Sequence, residues 1–168
     1  PSGLVSDACF NTVDIMPTLL SLAGIPIPEE VEGMDVSHIL LGKDGPEPDA
    51  AFLMNTGACA AWSNGHEWRG LRDKRYTYAV YRGCKEKNLP RKELLFDNEV
   101  DPLQMHNLVK DKEYQHIVQV FREKLEQKME SLNDTFPEST WYRDNWIKNR
   151  MIMKTATLDP DSPSQDKR

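Results

Sequence analysis

One stretch of the sequence, residues 11–28, carries both the start and the stop signals of a single helix. Asn11 is suited to capping the N-terminus, and Asp14 adds the negative charge that the helix dipole favours in a first turn. Gly24 suits the left-handed position after the last turn, and prolines at positions 26 and 28 prevent continuation. Apolar residues recur at steps of three and four, which predicts one buried face. The residues of that face are Val13, Met16, Leu19, Leu20 and Ala23.

Pro17 is the residue that conflicts with a regular helix over this stretch. It lies too deep for the first helical position, where proline is best tolerated. Two interpretations stay open. The helix is kinked at Pro17, or it begins irregularly and becomes regular from that residue.

The composition describes a globular chain. It has 168 residues, 39% apolar and 29% charged, enough for one domain with a core. The net charge of -6 argues against a nucleic-acid partner, which would require a basic excess. No apolar run approaches the roughly 20 residues of a membrane span, so we expect no membrane partner. The three cysteines and four histidines lack metal-ligand spacing, so no metal site is expected in this chain.

After the first helix, the pattern changes from helical to β and then back to helical. Runs rich in β-forming residues predict strands at 50–55, 68–72, 76–81 and 93–97, joined as an antiparallel meander. A helix is predicted from about Asp111 to Leu132, where an apolar stripe alternates with charged residues. The stripe consists of Tyr114, Ile117, Val118, Phe121, Leu125, Met129 and Leu132.

Three motifs in this order carry a family resemblance. The stretch from Thr12, Thr-Val-Asp-Ile-Met-Pro-Thr-Leu-Leu-Ser-Leu-Ala-Gly-Ile-Pro, resembles V-D-I-x-P-T-L-L-x-L-A-G-I-P. Residues 66–79 resemble W-R-x-x-R-T-x-R-Y-x-Y, and residues 93–108 resemble E-L-Y-D-L-x-x-D-P-x-E-x-x-N-L. Together they resemble the sulfatase family of the alkaline-phosphatase-like superfamily, over about residues 9–150. The resemblance is closest to bacterial sulfatases related to heparan N-sulfatase and iduronate sulfatase.

The resemblance implies an α/β fold, in which the end of an alkaline-phosphatase-like domain is followed by a small antiparallel sheet covered by a C-terminal helix. The expected divisions are residues 1–56 for the end of the α/β domain, 57–154 for the C-terminal subdomain, and 155–168 for a disordered tail. The implied activity is hydrolysis of sulfate esters or sulfamates on carbohydrates.

The catalytic apparatus of that family is not in this chain. Family members convert a Cys or Ser in C/S-x-P-x-R to formylglycine and bind calcium through Asp and Asn side chains. None of Cys9, Cys59 and Cys84 lies in such a motif. We therefore expect a C-terminal portion that is inactive alone and holds no cofactor. Calcium and formylglycine belong to a parent enzyme with a periplasmic or secreted location. Its partners would be the missing N-terminal catalytic domain and a sulfated carbohydrate.

Two other function classes remain as alternatives. One is a phosphatase or phosphodiesterase of the same superfamily, and the other is a non-catalytic binding or structural module. The sequence that precedes residue 1 in the parent would discriminate among them, since C/S-x-P-x-R there indicates a sulfatase.

His66, Trp68 and Arg69 are the candidate substrate-rim residues of this chain. They combine a titratable group, an aromatic face and a guanidinium suited to sulfate oxygens, beside a loop rich in Gly and Ala. In the structural alternative, Trp62 and Trp68 pack the sheet edge and Arg69 pairs with an acid. The basic residues nearby are interpreted as a solvated hairpin rather than an anion site. They are Lys85, Lys87, Arg91 and Lys92.

Overall fold

The structure is a computed structural model that describes residues 3–141. The predicted tail 155–168 and the aromatic stretch beyond residue 141 lie outside the described residues. In the described range, no helix is long and apolar enough to cross a membrane. The helices and strands, in chain order, are α1 Ile15–Leu22, α2 Ser37–Leu40, β1 Ala51–Asn55, β2 Trp68–Arg72, β3 Tyr76–Tyr81, β4 Lys92–Asp97 and α3 Gln115–Ser131.

The four strands form one antiparallel sheet in the order β1-β2-β3-β4, as the meander prediction required. Each strand pairs with the next along the chain, and the register places Met54 opposite Arg69 and Arg69 opposite Val80. Strand β1 pairs with β2 along its whole length, so the sheet includes residues from Ala51 onward. The division expected after residue 56 stays a prediction.

Helix α3 covers one face of the sheet and closes the main core. Val118, Phe121 and Leu125 of its predicted stripe are buried. The Phe121 ring lies 6.0 Å from the ring of Tyr76 and 6.1 Å from that of Tyr78, in edge-on and tilted geometry. The helix prediction is confirmed, with ends a few residues inside the expected ones. The whole buried cluster is Leu71, Tyr78, Val80, Leu95, Val118, Phe121, Leu125 and Phe136.

The predicted burial of the first helix is wrong. Met16 is 57% exposed and Leu19 is 59% exposed, while the buried residues of this segment are Asp14, Pro17 and Thr18. The start is irregular, since a 3₁₀ turn over Thr12–Asp14 precedes α1. Pro17 is the third residue of α1, in the first turn, where a backbone N–H has no partner within the helix.

Polar contacts explain why α1 turns this face inward. The Asp14 carboxylate accepts hydrogen bonds from the N–H groups of Asn11 and Met34, both at 2.8 Å. The Thr18 hydroxyl accepts one from the N–H of Val36 at 3.1 Å. Gly33 lies so close to residue 13 that a Cβ there would approach the Val13 carbonyl oxygen to 2.3 Å. These bonds satisfy backbone donors, and the apolar side of α1 is left facing outward.

Candidate substrate-rim site

The loop between β1 and β2, residues 56–67, is held in place by polar contacts. The hydroxyl of Ser63 donates to the Ala60 carbonyl at 2.8 Å and lies 2.6 Å from the Ser139 hydroxyl. Gly57 passes close to this pair, because a Cβ there would lie 2.7 Å from the Ser139 hydroxyl oxygen. The loop is therefore held by a segment that lies some seventy residues further along the chain.

Two further side chains join the loop to the same segment. The buried Glu67 carboxylate accepts the N–H of Gly65 at 2.7 Å and the N–H of Ser139. The Asn64 amide donates to Thr140 Oγ1 at 3.0 Å and accepts the Thr140 N–H at 3.0 Å. A buried carboxylate is stable only when such donors satisfy it, so Glu67 sets the course of the loop.

The structure separates the three candidate rim residues. His66 is exposed on the loop, and Trp68 is half-buried at the start of β2. Arg69 follows Trp68 along the strand, so their side chains point to opposite faces of the sheet. Arg69 is fully buried on the face that α3 covers. His66 and Trp68 remain accessible, whereas Arg69 does not face solvent in this structure.

Arg69 makes the contacts that the structural alternative describes. Its guanidinium forms two bonds with the Asp134 carboxylate, one of them between Nη2 and Oδ1 at 3.1 Å. It also donates to the Asn55 carbonyl at 3.2 Å and lies 4.8 Å from the centre of the Phe136 ring. These contacts join β1, β2 and the segment after α3.

The hairpin between β3 and β4 lies directly against the loop. The N–H of Gly83 donates to the Gly65 carbonyl at 3.1 Å, and that of Arg82 donates to the Glu67 carbonyl at 2.9 Å. A Cβ on Gly65 would lie 2.6 Å from the Cβ of Cys84, so only glycine permits this approach. The Lys87 ammonium group reaches the carbonyl of Ala61.

A groove of about 700 Å³ lies elsewhere, between the segment before α1, the edge strand β1 and the end of α3. Phe52, Met54 and Leu132 contribute apolar walls, and Trp68 is the candidate rim residue that lines it. Across residues 3–141, no group of three or more His, Cys, Asp or Glu side chains is arranged to hold a metal ion.

Sequence reasoning missed two features of this site. Glu67 carries no local signal, because its partner Ser139 lies 72 residues away. The contact between the 56–67 loop and the 83–92 hairpin is also long-range, although Gly65 and Gly83 mark the points of close approach. Paired glycines in neighbouring loops are the signal that hints at such a contact.

Comparison with known proteins places this architecture in the sulfatase class. The sequence model of the family described as N-sulphoglucosamine sulphohydrolase, C-terminal, matches residues 1–131. The chain belongs to this family. The family resemblance of the three sequence motifs is thereby confirmed.

An ulvan-active sulfatase of Formosa agariphila is 34% identical over 141 residues, which cover 83% of this chain and 26% of that protein. The chain thus spans about a quarter of the length of this curated relative. A solved 2-O GAG sulfatase superposes with a TM-score of 0.65 at 24% identity, over 90% of this chain and 30% of the other. That likeness confirms the expected α/β fold.

A phosphonate monoester hydrolase of Agrobacterium radiobacter also shares the fold. It superposes with a TM-score of 0.55 at 26% identity, over 68% of this chain and 23% of the other. The same architecture therefore accompanies hydrolases that are named for different bonds, so the fold alone does not select the substrate.

Proposed function

We propose that the full-length protein is a sulfatase that hydrolyses sulfate esters or sulfamates on a carbohydrate. The observation that carries this proposal is the family match over residues 1–131, together with the similarity to an ulvan-active sulfatase. The activity of that relative, which acts on the polysaccharide ulvan, supports a sulfated carbohydrate as the substrate class.

Within that enzyme, this chain binds the N-terminal catalytic domain and contributes to the substrate rim. The exposed apolar side of α1 is suited to packing against another domain, since isolated soluble domains rarely leave such a continuous apolar surface in water. His66 on the 56–67 loop and Trp68 at the start of β2 form the rim. Arg69 holds the base of the loop through Asp134.

The nucleophile and metal of this enzyme lie in the N-terminal domain under the proposal. A formylglycine would supply the nucleophile, and a calcium ion would polarise the sulfate group.

The test compares the full-length protein with the 168-residue chain alone. Sulfate release is measured from ulvan, from glycosaminoglycans and from 4-nitrophenyl sulfate, with and without a calcium chelator. We expect calcium-dependent release by the full-length protein and none by the chain alone. Turnover by the chain alone that survives repurification would overturn its assignment as a non-catalytic portion.

A phosphoryl or phosphonyl ester hydrolase is the second candidate, because a phosphonate monoester hydrolase shares this fold. Bis(4-nitrophenyl) phosphate and a phenylphosphonate monoester are therefore included in the same assay. Preference for either over every sulfated compound would replace the sulfatase proposal with this one. Activity on none of the substrates, with the protein folded, would favour a binding or structural module.

The rim role of His66 is tested by His66→Ala in the full-length enzyme. Loss of one hydrogen bond to a charged group should lower kcat/KM for the sulfated carbohydrate about tenfold or more. The loss should be smaller for 4-nitrophenyl sulfate, which has no sugar ring to orient. Equal losses for both substrates would place His66 outside the rim.

A further inference from the structure

The loop at residues 61–66 and the hairpin at residues 83–92 form one continuous surface that neither segment forms by itself. The backbone bonds from Gly83 to Gly65 and from Arg82 to Glu67 hold the two together. The Lys87 ammonium group contacts the carbonyl of Ala61, the residue before Trp62. The Lys87 ammonium group thus lies beside the residue that precedes Trp62, although 25 positions separate Lys87 and Trp62 in the sequence.

This surface is positively charged in a chain whose net charge is -6. The hairpin carries four exposed cations and one exposed carboxylate, Glu86. The N–H of Glu86 itself and the Cys84 thiol hydrogen-bond to that carboxylate and lower its pKa, so Glu86 is ionised at neutral pH. The neighbouring acids Glu93 and Glu138 are already paired, with Arg122 and Arg82. The four hairpin cations are Lys85, Lys87, Arg91 and Lys92.

Backbone hydrogen bonds hold the hairpin that carries these cations in one conformation. Residues 84–89 close on themselves through the N–H of Cys84 to the Leu89 carbonyl at 2.8 Å and the N–H of Leu89 to the Cys84 carbonyl at 2.9 Å. Gly83 adopts φ 74°, and a Cβ there would lie 2.6 Å from the Arg91 nitrogen. Because the hairpin backbone is ordered before any ligand arrives, binding there loses less conformational entropy.

Trp62 is the aromatic member of the surface. It is 66% exposed, on a 3₁₀ turn whose other residues are small or buried. A large exposed indole offers an apolar face for a sugar ring and an N–H for a hydroxyl or sulfate oxygen. His66 is exposed on the same loop, two residues after Asn64, which is held by Thr140.

We propose that Trp62, His66 and the cationic hairpin 83–92 bind a polyanionic carbohydrate chain. The ligand is a polysaccharide with several anionic groups, so the surface would hold sugar residues beyond the one that is hydrolysed. The lysines and Arg91 bind sulfate or carboxylate groups, and Trp62 contacts a ring face. This inference rests on the proposed function and extends it from one sulfated sugar to a chain of them.

The test measures binding of heparin to the full-length protein by titration at low salt and by the salt concentration that elutes it from heparin resin. Replacing Lys85, Lys87 and Lys92 by Gln should weaken binding about tenfold and lower the eluting salt, since exposed charge pairs contribute modestly and are screened. Trp62→Ala should also weaken heparin binding, and Trp62→Tyr should weaken it less than Trp62→Ala does.

The matched control replaces three exposed lysines on the α3 side, Lys110, Lys112 and Lys124, by Gln. It makes the same change in net charge, and we expect heparin binding to be unchanged. Equal losses in the two triple variants would overturn the proposed surface. If the triple hairpin variant does not show a native thermal melt, heparin binding is measured with the single variant Lys87→Gln, which should also bind more weakly.

Polyglutamate of similar charge tests whether the ligand must be a carbohydrate. We expect it to bind more weakly than heparin and to be insensitive to Trp62→Ala. Equal affinity for both polymers would overturn carbohydrate recognition. Sulfate release is measured in parallel, so hairpin-dependent heparin binding without any hydrolysis would refute the proposed function and leave this surface supported.

Discussion

Residues 3–50 and residues 51–141 differ in how much of their apolar surface they bury within this chain. The second region has a sheet, a covering helix and a buried apolar cluster centred on Tyr78, Leu95 and Phe121. The first has a well-marked helix, yet its buried apolar side chains are few and many of its large ones face solvent. The exposed set within residues 4–34 is Leu4, Val5, Phe10, Val13, Ile15, Met16, Leu19, Leu22, Ile25, Ile27 and Met34.

The contrast shows that sequence signals for a helix and sequence signals for its burial are separable. Caps and breakers act within a few residues, so they place α1 whatever surrounds it. An apolar face indicates that some partner exists, without saying that it lies in the same chain. In residues 51–141 the partner is within the chain. For α1 we propose that it is the N-terminal catalytic domain.

The largest effect is expected where the second region buries a charge. Arg69→Ala leaves Asp134 near the core without its cation, which should cost about 3–5 kcal/mol of unfolding free energy. Arg72, three positions later in β2, is exposed and serves as the control, since Arg72→Ala should change stability by less than about 0.5 kcal/mol. Urea denaturation measures both. A small cost at Arg69, together with a selective loss on carbohydrate substrates, would return Arg69 to the rim.

The core of the second region gives a similar loss by another mechanism. Phe121→Ala removes a buried ring that contacts Tyr76 and Tyr78 and should cost about 3–5 kcal/mol through lost burial and a cavity. Val120, its neighbour on α3, is 46% exposed and provides the control, Val120→Ala. Similar losses at both positions would mean that α3 buries a different face.

The comparison between the regions is sharpest at Leu19. In the 168-residue chain, Leu19→Ala should cost less than about 0.5 kcal/mol, because the side chain is 59% exposed. In the full-length protein the same substitution should cost about 2–5 kcal/mol if the catalytic domain covers α1. The measurement is a pair of denaturant melts. Equal small costs in both proteins would refute the packing of α1 against that domain.

The sequence predicted the elements of both regions, because their signals are local. Strand periodicity placed β1 to β4 within a residue or two, and the apolar stripe identified the buried side of α3. The sequence could not predict that the apolar face of α1 points outward. Asp14 and Thr18 are turned inward because they accept hydrogen bonds from the N–H groups of Met34 and Val36.

The candidate site was less predictable from sequence. Alternation along β2 already implied that Trp68 and Arg69 point apart. The partner that buries Arg69, however, is Asp134, 65 residues away. The contact between Lys87 and Ala61 likewise depends on how two hairpins pack, which no local pattern specifies.

Acid should weaken the second region through Asp97. This buried carboxylate is bound by Arg75, with bonds of 2.7–3.1 Å, which lowers its pKa below the ordinary value of 3.8. A lowered folded-state pKa means that the contribution is complete above the unfolded-state pKa and is lost as pH falls through the folded value. We expect the urea concentration at the unfolding midpoint to decrease as the pH is lowered below about 4. Asp97→Asn should reduce stability at neutral pH and flatten this acid dependence, and an unchanged profile would contradict the assignment.

The smallest effect is expected at the ion pairs that join the two regions. The Lys74 ammonium, in the turn between β2 and β3, lies 2.7 Å from Glu47 and 3.2 Å from Asp7. Glu47 is the main cause of the raised pKa of Lys74, so this contribution is present at neutral pH and is lost as alkaline pH deprotonates the lysine. All three groups are exposed, so the pairing gain is offset by side-chain entropy and screened by salt. Lys74→Met should therefore leave the melting curve and the amide exchange of α1 unchanged.

Asn11→Ala should speed exchange in α1, because Asn11 caps the preceding turn and donates to the Phe52 carbonyl of β1. Faster exchange in Lys74→Met than in Asn11→Ala would show that charge pairs, rather than the cap, hold the first region against the sheet.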